Sequence, residues 1–568
     1  MGKINKQPNW NASVKKALLA GVAVSVTAGA AIAQVTSPNA PLKLSTDYFG
    51  YAAGVSVRAG YSDNINLERG ALKDEEYILS TFLTGGAIYS TPRVTALILG
   101  DLDFSYLIDD SDLAINQNIG ATSTFTAADN WLYFDLSGST SRQLIGDNAR
   151  FSGNINAARG QRADVHAYSA SPYVFHEFSD ESTAELRYRF SQVFVDEEAS
   201  PAAFFTGNSL NDSITHEVLA QYDTGRAFDR LGFRLTAYGS ETSEDGVGVF
   251  PDFEYEQGTV SIASHFAFSD QFAISGAAGY DEVDTTPFLI NGTPISFFND
   301  DDLSGFFWRA GFTAQPGPRS LIRIEYGQRY GDEFIDAEAR YAISDRFVFS
   351  AAASRSFRTR AQSVSSQFRA TQRQTLEFAD ALREGQELSA RSIIESANWY
   401  ANSLNFGRSQ TTGVAVTDSA SASLAGQFGR TELSISGYYS DDNFGFRQIE
   451  TIGGGIDLRR RMSRRLTGYG SLFFRHADTA FDPATCIMTP EIFGFDSNDP
   501  MFDAMVECNN LAADNGVTNT LIGRVGASYR IYENVSGFVE YSHTERFAPN
   551  PLLEYSENSA LVGVTLDF

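Results

Sequence analysis

Six histidines, His166, His176, His216, His265, His476 and His543, are the first residues to ask for metal or acid–base chemistry. No pair stands in a His-Glu-x-x-His or His-x-x-x-His spacing, and no Gly-x-Ser-x-Gly elbow occurs. The sequence therefore offers no catalytic constellation, no metal site and no cofactor site, and it reads as a non-enzyme. The only two cysteines, Cys486 and Cys508, are expected to pair in an oxidising compartment, closing a ring of about 20 residues. What does recur is charge at alternate positions. Asp101 and Asp103 are one such pair; Glu185, Arg187 and Arg189 are another set, Arg323 and Glu325 a third, and Asp336, Glu338 and Arg340 a fourth. Arg234, Asp457, Arg459 and Arg475 occur in the same kind of setting. Side chains two apart share one face of a strand, so these residues define a single ionic face.

The elements that carry this face are two-faced strands. In 183–190, Ala184, Leu186, Tyr188 and Phe190 alternate with the charges. Leu231, Phe233 and Leu235 alternate with Arg234 and Thr236, and Ile322, Ile324 and Tyr326 with Arg323, Glu325 and Gly327. The same alternation runs to the last residue. Ala560, Val562, Val564, Leu566 and Phe568 share one parity, while Ser559, Gly563, Thr565 and Asp567 share the other. Soluble domains seldom end inside a strand, because termini fray. Val562, Gly563, Val564, Leu566 and the terminal Phe568 resemble the C-terminal signal of bacterial outer-membrane β-barrels, which their assembly machinery reads.

The other end agrees. Lys3, Lys6, Lys15 and Lys16 precede an apolar run and the small-x-small step Ala31-Ile32-Ala33. Residues 1–33 read as a secretory signal peptide, and 34–48 as a periplasmic tether. No later stretch approaches the roughly 20 apolar residues of a spanning helix. Aromatics are 13% of the chain, enough for girdles of Phe and Tyr at both interfaces. The formal charge is -27, and -31 without the four signal lysines. Such acidity excludes nucleic acid as a natural partner. Beyond the signal the only lysines are Lys43 and Lys73, and every other base is Arg, a choice that suits carboxylate and phosphate contacts and also follows from codon bias.

Turn residues divide the chain regularly. Short connections are expected at 90–93, 127–130, 178–182, 269–271, 316–319, 344–346, 429–430, 463–464 and 532–534, with a somewhat longer one at 223–230. Longer, acidic ones fall between them, at 67–75, 145–162, 196–211, 241–252, 281–303 and 477–518. Short turns on one side and long loops on the other are the barrel pattern. The fold class is all-β, a transmembrane antiparallel up-and-down barrel over 49–568 of about 22 strands, with 18 or 20 also compatible. Within it, 359–407 is Gln-, Glu- and Ala-rich with apolar residues at helical spacing, and reads as a helical insert that narrows the lumen or caps it from outside. The hairpin 322–343 is expected to turn near Asp332-Glu333, setting Glu325 opposite Arg340 and Arg329 opposite Asp336.

Gly60-Tyr61-Ser62-Asp63-Asn64 resembles the start of a porin family of proteobacterial outer membranes, whose first strand ends in a Gly-x-x-Asp-Asn type motif. The resemblance implies an integral outer-membrane location and contact with lipid, lipopolysaccharide and the barrel-assembly machinery. A charge facing lipid at mid-bilayer costs about 2–4 kcal/mol, so the charged parity is the lumen. Arg187, Arg189, Arg234, Arg323, Arg340, Arg459, Arg475, Asp101, Asp103, Glu325 and Glu338 are then candidate pore-lining residues. They read equally as a transverse field for a selective pore and as ion pairs bracing the wall. The expected function is a passive channel for small polar solutes. Alternatives are a conduit for exopolysaccharide export, a closed structural or adhesive barrel, and an outer-membrane hydrolase or acyltransferase. Energised import receptors carry a plug ahead of the barrel, and strands beginning near Tyr51 leave no room for one.

Overall fold

In the computed structural model the described residues are 43–46, 49–145, 149–179, 181–196, 211–225, 228, 230–245, 252–285, 288–290, 293–295, 303–317, 319–344, 346–359, 362, 414–445, 447–481 and 516–568. Cys486, Cys508 and all of the insert 359–407 except Thr359 and Gln362 lie outside the described residues, or at their edge, as do residues 1–42.

The strands in chain order are β1 (Lys43–Thr46), β2 (Phe49–Ser62), β3 (Glu76–Ser90), β4 (Val94–Leu107), β5 (Asp112–Ala128), β6 (Leu132–Leu144), β7 (Arg162–Glu177), β8 (Thr183–Val195) and β9 (Ser213–Asp223). They continue with β10 (Leu231–Glu244), β11 (Phe253–Ser269), β12 (Phe272–Thr285), β13 (Phe288–Ile290), β14 (Thr293–Ile295), β15 (Gly305–Gly317), β16 (Ser320–Arg329), β17 (Asp332–Ser344) and β18 (Phe347–Thr359). The last are β19 (Val414–Phe428), β20 (Thr431–Asn443), β21 (Arg447–Arg461), β22 (Leu466–Phe481), β23 (Thr518–Arg530), β24 (Val535–Phe547) and β25 (Tyr555–Asp567).

Each strand pairs antiparallel with its chain neighbours, and β2 pairs with β25 from Gly54↔Asp567 to Ser62↔Ser559. That pairing removes the open edge that hydrocarbon would not tolerate. The sheet has 23 strands, of which short β1 merely extends the start of β2, so 22 close the barrel. β1 places part of the expected tether on the sheet. β13 and β14 form a separate small hairpin.

The outward parity is apolar and exposed: Val57, Leu79, Leu186, Ile324, Val539 and Val562 are examples. Near the end that holds the chain terminus, Tyr51, Tyr89, Trp131, Phe268, Phe428 and Phe568 ring this belt; near the other end, Tyr77, Tyr106, Tyr280, Phe306, Tyr326 and Phe547 do so. An apolar band between two aromatic girdles is what an outer-membrane barrel presents to lipid. The chain is an integral outer-membrane barrel of this kind, and Phe568 and its parity face lipid as expected.

The nine short turns and the somewhat longer 223–230 read from the sequence all join strands at the terminal end. At the far end the long connections are joined by three short ones, after β4, β16 and β20. The one after β16 corrects the expected register. Its turn is Tyr330-Gly331, both at positive φ (54° and 79°), rather than Asp332-Glu333. A two-residue turn with both residues left-handed matches the strand twist. It sets Glu325 opposite Asp336, Arg323 opposite Glu338 and Arg329 opposite Asp332.

The wall is doubled beside this short hairpin. Ala351 and Ala353 pair with Ala339 and Ala337 on the belt side of β17, and the alternation puts Phe357 on that same side. Yet the Phe357 ring packs edge-on to Tyr255 at 5.2 Å and lies 5.7 Å from Tyr330. Tyr255 is an inward residue of β11, paired with Thr242 and buried completely. Above the β16–β17 turn, β18 and β19 therefore slide inside the barrel, and their outer face stacks on the lumenal face of β11 and β12. Val283, Val414 and Val416 complete this apolar seam. Gln362, just past β18, donates its Nε2 to Thr242 Oγ1 at 2.7 Å, on the lumenal side.

Candidate functional site

The site is the lumen where the connection between β6 and β7 folds back into the barrel. Residues 149–158 run along the inner wall of β22–β25 and reach β4 and β5. Gly153 permits the close approach: a Cβ there would sit 3.1 Å from Ser542 Oγ. Its N–H donates to Thr544 Oγ1 at 3.3 Å. Three backbone carbonyls are held by wall side chains. Arg546 donates to the Ala149 carbonyl at 3.1 Å, Tyr555 Oη to Phe151 at 2.8 Å and Arg524 to Gly153 at 2.8 Å. Arg475 lies over the Phe151 ring, 4.7 Å from its centroid. These three arginines are 3–6% exposed, so their charges are almost fully withdrawn from water. Burial of this kind is tolerated because carbonyls, rings and Glu540 (3.1 Å from Arg524 Nε) replace the solvent.

A buried carboxylate anchors the tip. Glu557, 1% exposed, accepts hydrogen bonds from Ser62 Oγ at 2.7 Å, from Asn154 Nδ2 at 3.0 Å and from Ser152 Oγ. Asn156 donates to Ser105 Oγ and accepts from Asn116, both at 3.1 Å. Ala157 and Ala158 pack on Leu67 and Tyr555.

The residues of the Gly60–Asn64 motif meet here. Ser62 holds Glu557. Asp63 accepts from both the backbone N–H and the Nδ2 of Asn558, each at 2.7 Å, and returns its own N–H to the Asn558 carbonyl. Asn64 donates to the carbonyls of Glu68 and Ser556. The motif thus locks the seam between the first and last barrel strands and supports the infolded segment.

Most of the charged residues singled out from the sequence are engaged within the wall. Arg187 reaches Asp135 and Glu185, both at 2.6 Å, and its guanidinium covers Tyr173 at 3.6 Å. Arg189 pairs with Glu217 at 3.3 Å and Arg234 with Asp223 at 2.7 Å. Arg323 reaches Asp336 at 3.2 Å and Glu338 at 3.7 Å. Glu325 accepts from Ser275 at 2.5 Å and meets Arg309 at 3.1 Å. Asp101 accepts from Asn118, and Asp103 from Ser105. Arg340 sits opposite Leu321 and Ser350, and Arg459 opposite Glu432 and Tyr469, both half-buried. Of this set, Arg475 touches the infolded segment, over the Phe151 ring. Glu557, Arg524, Arg546 and Tyr555 hold that segment and were missed. Their inward parity is readable in the sequence; that a loop would come to meet them is not.

No family model matches the chain, and no curated protein matches it. Solved structures that are similar include the siderophore receptor PirA from Acinetobacter baumannii, at 9% identity, covering 91% of this chain and 80% of that one, with TM-score 0.48. The siderophore receptor PiuA from the same organism has 11% identity, coverage of 95% and 85%, and TM-score 0.45. The FrpB iron transporter from Neisseria meningitidis has 10% identity, coverage of 91% and 82%, and TM-score 0.37. At such identities and scores these likenesses carry no function to this chain.

Proposed function

We propose that the chain is an outer-membrane channel through which small polar solutes pass passively, with residues 149–158 as its constriction. One observation carries this reading: the segment is docked inside the barrel through polar contacts to a polar wall. A barrel of about 22 strands encloses a wide lumen, and a segment laid along its wall reduces the opening. A purely structural barrel has no need of a polar docking surface; an apolar filling would be more stable, since buried ion pairs are often matched or exceeded by well-packed apolar residues. The paired charges of β6–β10 and β15–β17 brace the wall and give the path alternating basic and acidic sectors. The porin-family resemblance of the Gly60–Asn64 motif agrees, and no catalytic role enters the reading.

The test is reconstitution in planar bilayers. Purified barrel should give discrete conductance steps, and deleting 150–157 with a short Gly linker should raise each step several-fold. Barrel that inserts yet never conducts would overturn the channel.

A further inference from the structure

The end of the barrel that carries the short turns faces the periplasm. From β19 to β24 that end is strongly basic. Arg430 stands in the β19–β20 turn, Arg460 and Arg461 end β21, Arg464 and Arg465 stand in the β21–β22 turn, and Arg530 ends β23. All six are exposed, and Glu533 is the one acid in these turns. The whole chain has 70 acidic and 43 basic residues, so its composition alone would not place a basic rim here. Among the described residues none of the six guanidiniums has an ion-pair partner. Backbone hydrogen bonds hold the group together. Arg461 donates its N–H to the Arg430 carbonyl at 2.9 Å, and Arg530 to the Arg465 carbonyl at 2.8 Å. The β21–β22 turn is closed by the N–H groups of Met462 and Ser463 on the Leu466 carbonyl, and Ser463 Oγ accepts from the N–H groups of Arg465 and Leu466. Ile531 and Tyr532 close the β23–β24 turn in the same way on the Val535 carbonyl.

Apolar side chains interleave with these charges. Arg460 is on the outward parity of β21, in line with exposed Ile456 and Leu458. Its cross-strand neighbours are Thr431 and Gly468. The aromatic girdle, with Phe428 on one side and Tyr529 on the other, therefore has a gap here, and an arginine stands in it. Met462, next on the same parity, is exposed and lies over Gly468, where an added Cβ would sit 2.6 Å from its Cε. Ile531 and Tyr532 are exposed on the neighbouring turn.

We propose that this rim binds an anionic phospholipid of the periplasmic leaflet, with Arg460 taking the headgroup phosphate at the gap in the girdle and the other five arginines supplying the positive field around it. A guanidinium matches a phosphate with paired N–H donors. Two observations choose lipid over a soluble acidic partner. Arg460 continues the lipid-facing parity of its strand, and Met462 with Ile531 carries apolar surface past the girdle, where the glycerol and upper acyl chains of a lipid lie. A zwitterionic lipid offers the same phosphate, but its ammonium is repelled by six like charges. The proposal is independent of whether the barrel conducts. The competing account is a solvated basic rim that prefers no ligand.

The test uses full-length barrel in detergent with phosphatidylglycerol or phosphatidylcholine added, read by native mass spectrometry. Saturable retention of phosphatidylglycerol is expected, with little of phosphatidylcholine. One arginine near a membrane surface strengthens binding of anionic lipid roughly fivefold, so Arg460→Gln should weaken retention by about that factor, and Arg464→Gln with Arg465→Gln roughly tenfold or more. Met462→Ser should weaken it less. Arg93→Gln, in the exposed β3–β4 turn, should leave it unchanged. Inorganic phosphate in excess should not displace the lipid, since it has no acyl chains to lie on Met462. Heat-modifiable migration on gels confirms that each variant is folded. Equal retention of the two lipids, unchanged retention by the folded arginine variants, or displacement by inorganic phosphate overturns the proposal. Binding of soluble polyglutamate with no preference between the lipids would also overturn it, and would assign the rim to an acidic protein.

Discussion

Glu557→Ala is the sharpest test of the constriction. Two of the carboxylate's three donors, Ser152 and Asn154, belong to the docked segment, and the third, Ser62, belongs to the seam. A hydrogen bond to a charged group contributes about 1.5–3 kcal/mol, so the two bonds to the segment supply about 3–6 kcal/mol of docking. Their loss lowers the docked-to-released ratio by roughly a hundredfold to ten-thousandfold. Arg524, Arg546 and Tyr555 still hold three carbonyls, so the segment should become dynamic rather than lost. Single channels of the variant should show a higher mean conductance and a new, larger open level. Glu557→Gln keeps an acceptor oxygen and should lie between variant and wild type. A cysteine pair makes the cause explicit. The Cβ position of Gly153 is 3.2 Å from Ser542 Cβ, close to disulfide distance, so Gly153→Cys with Ser542→Cys should lock the segment when oxidised. Added to Glu557→Ala, the oxidised lock should restore wild-type conductance, and reduction should release it. If Glu557→Ala conducts like the wild type and reduction of the lock changes nothing, residues 149–158 are not the constriction.

Further outcomes follow from the same structure. Deleting Phe568, exposed on the belt at the end of β25, should reduce the heat-modifiable barrel recovered from outer membranes; normal recovery would remove its role as an assembly signal. Asp63→Ala removes two acceptor contacts to Asn558 and should cost about 1–3 kcal/mol in thermal unfolding of the detergent-solubilised barrel, whereas Asp112→Ala, whose pair with Arg159 is exposed, should cost next to nothing. Val562→Arg, on the lipid face, should cost about 2–4 kcal/mol in folding into bilayers, while Thr565→Ser on the lumenal parity should be near neutral. Cys486 and Cys508 should yield no free thiol when the protein is denatured without reductant.

The architecture was legible because it depends on local signals. Parity assigns each side chain to lipid or lumen, and Gly, Asp, Asn and Ser mark the turns, so the strand number, the closing pair and the ten terminal-end turns could all be read in advance. What failed was what parity cannot see. The β16–β17 register hung on whether Tyr330-Gly331 or Asp332-Glu333 makes the turn, and cross-strand charge matching pointed to the wrong choice. The chosen turn opposes Glu325 to Asp336, and the conflict is resolved from a third strand: Arg309 of β15 lies 3.1 Å from Glu325 and 3.0 Å from Asp336. Pairwise reasoning along one hairpin cannot weigh a partner on the next. The overlap of β18 on β11 breaks the parity rule itself, since Phe357 sits on the outward phase and is buried against an inward residue. The infolded segment was legible only as a long connection, because Gly153, Asn154 and Asn156 are as ordinary in a surface loop as in a docked one.

Closure and constriction share their parts, and this orders the assembly. Ser62 belongs to the first barrel strand, Glu557 to the last, and Ser152 and Asn154 to the segment between β6 and β7. Before β2 and β25 zip together, Glu557 lacks Ser62, Asp63 lacks Asn558, and the wall under residues 149–158 is split along its length. The docked segment spans that split, touching β4 and β5 on one side and β22–β25 on the other. A segment that bridges both flanks of the seam finds its full set of partners only on the closed barrel, so it docks after closure and then resists reopening. The Gly153–Ser542 lock should therefore form in barrel that has become heat-modifiable and not in chains arrested before insertion. Oxidised cross-link appearing in the unclosed, heat-unmodified fraction at the same rate would show that the segment docks on β24 alone and owes nothing to the seam.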